Sequence, residues 1–275
     1  MKKLERFRRI VKRTLSFSRR ELKLRTRYKW AFLSNTIVIP LLHALPMILL
    51  YWGIFSMIAG EFEEVNAGNY LPWLLLGALC YQVFFLGNSF FKGRFIEEKY
   101  WTTITGTLIA PISKYYLLFG VIIQLGIEGF VTAVLLTVLS FIALPTTLFS
   151  LFLLFLIFLL TVAMGAALGL INGTFFLTNE NYCIFFDYLA YILAFTSTYS
   201  IPYEVFSSIH PIVAGIVQVN PLYHIIKLTR SIWFGTFEPD LLYSLLYVVI
   251  FVICLMIIGV YLFSKITRRY GVRGY

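Results

Sequence analysis

The chain has 275 residues, of which 60% are hydrophobic and only 13% are charged, with a net charge of +10. Soluble globular domains contain about 45–50% apolar and about 25% charged residues, so this chain has too little polar surface for a water-soluble fold. The composition therefore predicts an integral membrane protein.

The positive charge lies in short segments beside the apolar runs. Of the 23 Lys and Arg residues, 13 precede Trp30 and four follow the last apolar run. Basic residues at membrane flanks set topology and attract anionic lipid, which accounts for the charge without a nucleic-acid partner. We expect the lipid membrane as a partner and no nucleic acid.

Residues 1–29 form a basic arm in which apolar residues recur at helical spacing. The arm is predicted to be an amphipathic helix that lies flat at the cytoplasmic interface, with its apolar face in the lipid. It would act either as a topology anchor or as a docking surface for a cytoplasmic partner. The apolar positions are Leu4, Phe7, Val11, Leu15 and Leu22.

Six apolar runs follow, each long enough for the roughly 20 residues that cross about 30 Å of hydrocarbon. Pro40 and Pro46 predict a kink in the first run. The predicted fold class is thus an all-α integral membrane protein, with the interface helix (1–29) followed by a six-helix transmembrane domain (30–275). The runs cover residues 30–59, 70–91, 115–144, 148–176, 183–200 and 241–263.

The segment at residues 200–240 is apolar but contains Pro202, Pro211 and Pro221. As a full crossing it would place the basic C-terminal tail outside, against the positive-inside rule. Short re-entrant helices on the external side resolve this conflict, provided that protein or a cavity shields their backbone. Asn220 precedes a proline, so we expect a helix break there that the Asn220 side chain caps.

Two bases lie in that segment, Lys227 and Arg230. They are expected either to snorkel to the outer surface or to meet lipid headgroups or an anionic substrate. With six spans and the N-terminus inside, 21 of the 23 Lys and Arg residues fall on the cytoplasmic side. The predicted location is the cell (plasma) membrane, with both termini in the cytoplasm.

Glu128 and Asp187 are the two acids within the apolar runs. An ionised carboxylate in the bilayer costs a few kcal/mol, so each should face the bundle interior, form a pair or stay protonated. Asp187 is close enough to the end of its run to reach the interface, and Glu128 has either a functional role or a structural hydrogen bond. In the fourth run, Gly165, Gly169 and Gly173 predict close helix packing.

Sequence motifs of enzymes and nucleotide sites are absent. The chain has no GxxxxGK[ST], no GxSxG, no HExxH and no His, Asp or Glu cluster at ligand spacing. These patterns hold phosphates, activate nucleophiles or bind metal ions. We therefore expect no catalytic residue, no metal and no cofactor in this chain.

Two motifs resemble those of the permease subunits of type-2 ABC exporters. In that family the first cytoplasmic loop reads approximately E-R-x-x-G-T-L-x-x-L-L-x-x-P-I-S. Here residues 98–104 read EKYWTTI and residues 108–113 read LIAPIS, with Thr102 in place of the family glycine. The second motif precedes the last span and consists of Pro211, Asn220, Pro221, Leu222, Arg230 and Gly235.

The resemblance implies partners and site residues. Two family copies pair with two separate ATPase subunits that carry ATP and Mg, so we expect a cytoplasmic ABC ATPase and a second permease copy, as a homodimer unless a second permease gene exists. Residues 92–113 would be the coupling loop that rests in a groove of the ATPase. Residues 200–240 would form the external gate with Pro211, Asn220, Pro221 and Arg230. The expected coupling residues are Arg94, Glu97, Glu98, Lys99, Thr103 and Pro111.

The sequence leaves the substrate open, because substrates of this family range from drugs and lipids to lipid-linked polysaccharides. The alternative from another class is a membrane-embedded enzyme that acts on lipids or lipid-linked substrates. Convergent polar residues at one membrane depth would favour the enzyme, whereas a neighbouring ATPase gene would favour export.

Overall fold

The computed structural model describes residues 2–57, 62, 65–100, 114–179, 181–237 and 239–270. Within these ranges the chain is helical and has no β-strand, which confirms the predicted all-α class. A five-residue π-helical segment, Ser34–Val38, interrupts the first span. The α-helices are α1 (Lys2–Arg27), α2 (Lys29–Leu33), α3 (Ile39–Met57), α4 (Tyr70–Tyr100), α5 (Lys114–Ala143), α6 (Leu148–Thr178), α7 (Asn181–Phe195), α8 (Tyr203–Ile209), α9 (Pro211–Val219), α10 (Pro221–Phe234) and α11 (Asp240–Tyr270).

Five of the six predicted spans are helices that are long and apolar enough to cross a bilayer. They are Lys29–Phe55, Tyr70–Glu97, Leu118–Ala143, Leu148–Thr178 and Asp240–Arg268. The fifth predicted run differs, because its helix α7 has 15 residues and is only about 22 Å long at 1.5 Å per residue. Residues 196–200 continue it in irregular backbone, in which Thr198 has a left-handed φ of 62°.

Helix α4 is longer than its apolar run. Residues 92–100 were predicted as part of a polar loop, but they form the last turns of α4. Helix α4 therefore extends beyond its membrane-spanning part into residues 92–100, the first part of the predicted coupling loop. Residues 101–113, which hold Thr103 and Pro111, lie outside the described residues.

The distortion of the first span lies next to Pro40. Proline has no N–H to donate to the carbonyl of Thr36, four residues earlier. The Thr132 hydroxyl of α5 donates to this carbonyl at 2.9 Å. The π-helical turn and an interhelical hydrogen bond thus accommodate the proline, whereas Pro46 remains inside α3 without a break.

Helices α4 and α6 approach closely where both carry glycine, as the spacing of Gly165, Gly169 and Gly173 predicts. A Cβ atom added at Gly169 would lie 2.2 Å from the Gly87 carbonyl oxygen, and one added at Gly165 would lie 2.7 Å from the carbonyl oxygen of Phe84. Both distances are far below van der Waals contact. The glycine face of α6 therefore packs directly on the α4 backbone.

Helix α1 packs along α5 rather than lying apart from the bundle. A Cβ atom at Gly120 would lie 2.6 Å from the Phe17 ring, and Arg25 approaches Glu128. The two contacts are eight residues apart in both helices, so α1 follows α5 in the same direction. The expected position of α1 flat at the cytoplasmic interface stays a prediction. Val11 and Leu15 remain exposed and available to the bilayer.

Contacts between residues far apart in the sequence show which segments meet at each end of the bundle. At one end, the Tyr51 hydroxyl donates to the Ser200 carbonyl and the Thr146 hydroxyl to the Trp233 carbonyl. At the other end, Phe95 of α4 stacks on Phe263 of α11 with ring centroids 5.7 Å apart. We call this the basic end, because Lys265 and Arg268 follow Phe263 on α11. Ser200, which follows α7, therefore lies at the end opposite the basic end; among the described residues, five helices have the length and apolar composition of a span, and the bent pair Pro211–Val219 and Pro221–Phe234 is the candidate for a sixth.

The glycine contact gives a first prediction. Gly169→Ala should lower the free energy of unfolding by about 1–3 kcal/mol, because the added methyl group overpacks an interface without free space. The matched control is Gly126→Ala, since nothing lies within 4 Å of a Cβ atom there. Thermal unfolding in detergent, followed by size-exclusion elution, measures both variants. Equal melting temperatures for the two would contradict the packing described here.

Candidate functional site

Arg230 is the centre of the site at the end opposite the basic end. Its side chain lies on α10 and is only 6% exposed. The guanidinium donates to the carbonyl of Trp73 at 3.3 Å and to that of Tyr199 at 3.0 Å. It also lies 3.3 Å from the centroid of the Trp73 ring. Arg230 is held inside the protein and does not extend to the outer surface, so snorkelling does not apply to it, whereas contact with lipid headgroups or an anionic substrate stays a prediction.

The room for this arrangement comes from a glycine on α4. A Cβ atom at Gly77 would lie 2.1 Å from the Tyr199 carbonyl oxygen and 2.8 Å from Arg230 Nη2. The irregular segment after α7 can therefore lie against α4 and present its carbonyl to the guanidinium. Carbonyl dipoles and an aromatic face together stabilise a buried cation that water does not reach.

The break between α9 and α10 is present where the sequence predicts it. The two helices meet at an angle of 79°, and Pro221 occupies the first turn of α10. Asn220 Oδ1 accepts from the Leu222 N–H at 2.9 Å, and its Nδ2 donates to the Leu193 carbonyl at 2.6 Å. Asn220 thus caps α10 and fastens the break to the end of α7. Pro211 begins α9 in the same way, after His210.

A second polar cluster joins α4, α6 and α7 towards the basic end. Lys92 of α4 forms an ion pair with Asp187 of α7. Asn172 of α6 donates to Asp187 at 2.9 Å and to Asn88 of α4 at 3.4 Å. Asp187 forms a pair, which is one of the outcomes expected for an acid within an apolar run, although the sequence did not identify Lys92 as its partner. The sequence did contain a signal for this pair: Asp187 is an acid in the fifth apolar run, and Lys92 is a base directly after the second.

Glu128 faces the N-terminal helix. It is 3% exposed, accepts a hydrogen bond from Gln124 at 3.0 Å and lies 3.9 Å from Arg25 Nε. Glu128 is therefore shielded and paired, as an acid in an apolar run requires. Its partners lie on α1 and α5, whereas those of Asp187 lie on α4 and α6, so the two acids belong to separate sites.

The predicted coupling residues are only partly described. Arg94 is 9% exposed and pairs at 3.3 Å with Glu97, which is half-exposed. The side chains of Glu98 and Lys99 lie outside the described residues, as do Thr103 and Pro111. On this helix face, Glu97 is therefore accessible to a partner, whereas Arg94 is turned into the protein.

Helix α7 exposes tyrosines within an apolar segment, which the sequence analysis did not single out. Tyr188 is 64% and Tyr191 55% exposed. In hydrocarbon a tyrosine hydroxyl has no hydrogen-bond partner and is costly to bury. Beside Tyr191, Tyr81 of α4 stacks on Tyr199 with centroids 4.5 Å apart. Ile184 and Phe195 are exposed on the same helix, so its outer surface combines tyrosine hydroxyls with apolar side chains.

Among the described residues, no group of three or more His, Cys, Asp or Glu side chains could hold a metal ion. The polar side chains instead tie helices together at two levels of the bundle. Membrane-crossing helices joined by such internal polar contacts define a multi-pass α-helical membrane protein.

Comparison with known proteins shows which kind of multi-pass membrane protein this chain is similar to. The chain is 23% identical over 230 residues to the inner membrane transport permease YadH of Escherichia coli K12, a match that covers 82% of this chain and 86% of YadH. YadH of Shigella flexneri matches over the same shares. No family model matches the sequence. The similarity confirms, at the level of a transport permease, the resemblance to type-2 permease subunits that the motifs indicate.

The Lys92–Asp187 pair gives a second prediction. Asp187→Asn leaves Lys92 without its counter-charge and should destabilise the protein by about 1–2 kcal/mol, less than for a fully buried pair because both side chains are partly exposed. The double variant Lys92→Gln/Asp187→Asn should recover most of the lost stability, because it leaves no unpaired charge between the helices. Melting temperatures of the wild type, both single variants and the double variant measure the coupling. Additive losses would show that the two side chains act independently.

Proposed function

We propose that this permease is the membrane-spanning subunit of an ATP-driven ABC exporter. The supporting observation is the continuity of α4, whose 31 residues span about 46 Å at 1.5 Å per residue. One end of this helix holds Trp73 against Arg230, and the other carries Glu97 and the segment that resembles the family coupling motif. A displacement of α4 at Glu97 would therefore reach the Arg230 site through one continuous helix.

The polar cluster extends this path to α7. Lys92 lies on the last third of α4 and binds Asp187 directly, so a displacement of α4 is transmitted to the helix that carries the exposed tyrosines. ATP-driven closure of two ATPase subunits would move α4, and α7 would follow through the ion pair. In this proposal the nucleotide and Mg belong to the ATPase, and this chain supplies the substrate path.

The exposed face of α7 supports a dimeric path. Tyr188 and Tyr191 are suited to a surface against a second permease copy or against a polar substrate, where their hydroxyls find partners. We propose a homodimer whose path runs beside this face. The substrate class within drugs, lipids and lipid-linked polysaccharides stays open, since tyrosines suit the polar part of each.

We further propose that the basic end faces the cytoplasm, in the plasma membrane. Of the 23 Lys and Arg residues, 21 belong to the arm, the segment around α4's end and the C-terminal tail. Positive loops are retained on the cytoplasmic side during insertion. The α8–α10 segment, including Pro211, Asn220 and Pro221, then forms the external gate around Arg230.

ATPase coupling is tested by reversing one charge. Glu98→Lys should reduce the stimulation of the partner ATPase by the permease roughly tenfold, because it places a like charge against the docking surface. The control is Glu204→Lys, which makes the same change on α8, at the end opposite the basic end. ATP hydrolysis by the reconstituted complex, relative to the ATPase alone, is the measurement. Full stimulation with Glu98→Lys would exclude this segment as the transmission element.

Sidedness is tested with single cysteines. In a chain whose Cys80, Cys183 and Cys254 are replaced, Ser208→Cys on α8 should react with a membrane-impermeant maleimide in intact cells. Ser16→Cys on α1 should react only after the cells are permeabilised. Both serines are exposed, so access of the reagent depends on the side of the membrane. Labelling of Ser16→Cys in intact cells would reverse the proposed orientation.

A further inference from the structure

A cavity of about 340 Å³ lies where α1 meets the first span, between α4 and α5. Arg25 and Arg27 of α1 form one wall and Arg94 of α4 another, and Phe90 forms part of the lining. Asn35, from the π-helical turn, lines the side formed by the first span. Single-turn π-helical distortions of this kind are frequent at binding sites. We propose that this cavity binds the phosphate headgroup of an anionic phospholipid.

The charges of the cavity favour an anion. Three guanidinium groups face two carboxylates, those of Glu97 and Glu128. Each carboxylate already has a cationic neighbour, since Glu97 pairs with Arg94 and Glu128 lies 3.9 Å from Arg25. Arg27 is exposed and forms no ion pair among the described residues, so its planar group is available for bidentate contact with a phosphate.

The position of the cavity favours a lipid over a soluble phosphate. Tyr28 and Trp30, at the start of the first span, are 68% and 85% exposed, and exposed aromatic residues at a span end mark the headgroup level. On α5, Ile123 and Ile127 are exposed and directly precede Gln124 and Glu128, which line the cavity. They offer an apolar surface for acyl chains whose headgroup occupies the cavity. The site depends on these contacts and not on ATPase coupling.

The proposal is tested by native mass spectrometry of the purified full chain in detergent. The probes are dioleoyl phosphatidylglycerol, dioleoyl phosphatidylcholine and soluble glycerol phosphate. The wild type should retain phosphatidylglycerol in preference to phosphatidylcholine. Arg27→Gln should weaken that binding roughly tenfold, the loss expected for one charge-assisted contact. Arg19→Gln, an exposed change on the same helix outside the cavity, is the matched control and should leave binding within about twofold of the wild type.

A gain-of-binding variant guards against effects of misfolding. Glu97→Gln removes a carboxylate from the lining and should strengthen phosphatidylglycerol binding, which a damaged protein would not do. Equal losses for Arg27→Gln and Arg19→Gln would overturn the cavity site in favour of diffuse attraction by the basic arm. Equal retention of phosphatidylcholine would overturn the preference for an anion. Displacement of the lipid by glycerol phosphate at equal concentration would show a site for soluble phosphate and overturn the lipid assignment.

Discussion

The direct contact between the α4 and α6 backbones is the constraint on which the rest of the structure depends. In a bilayer the lipid tails are as apolar as the side chains, so helices associate through close packing and polar contacts rather than through exclusion of water. Glycines at positions 87, 165 and 169 allow that packing. Helix α4 becomes the most buried span as a result, and the other helices arrange themselves around it.

Burial of α4 also decides where polar groups are tolerated. Lys92, Asn88 and Gln82 project from a helix that meets protein on most sides, so each can find a partner across an interface. Gln82 bonds to His43 of the first span, and Lys92 pairs with Asp187. On a lipid-facing helix the same side chains would remain unsatisfied at a cost of several kcal/mol each. The polar contacts therefore follow from the packing and in turn fix the neighbours of α4.

The sequence predicts those features that local chemistry determines. Apolar runs give the spans, glycine spacing gives the close face of α6, and Asn before Pro gives the capped start of α10. Arg230 could not be placed from sequence because its environment depends on Gly77 and on the Tyr199 carbonyl, which are remote along the chain. The same holds for Lys92 and Asp187. The packing of α1 on α5 was not predicted because helical periodicity identifies an apolar face but not a second face that packs on protein.

The distribution of contacts also indicates which parts can move. The α4–α6 interface has no space for sliding, because a displacement along the helix would drive Cα atoms at glycine positions against neighbouring side chains. Helix α7 is different: one side is exposed, and polar contacts hold it at Asp187, in its middle, and at the Leu193 carbonyl, near its C-terminal end, which accepts from Asn220. Residues 196–200 that follow it are irregular, with Thr198 in a sparsely populated left-handed conformation. Irregular backbone is not free backbone here, because Ser197 and Thr198 are buried and the carbonyls of Tyr199 and Ser200 accept hydrogen bonds from Arg230 and Tyr51. The connection from α7 to α8 is therefore fixed to α4, α10 and the first span, and the exposed side of α7 is the part of this helix with the fewest constraints.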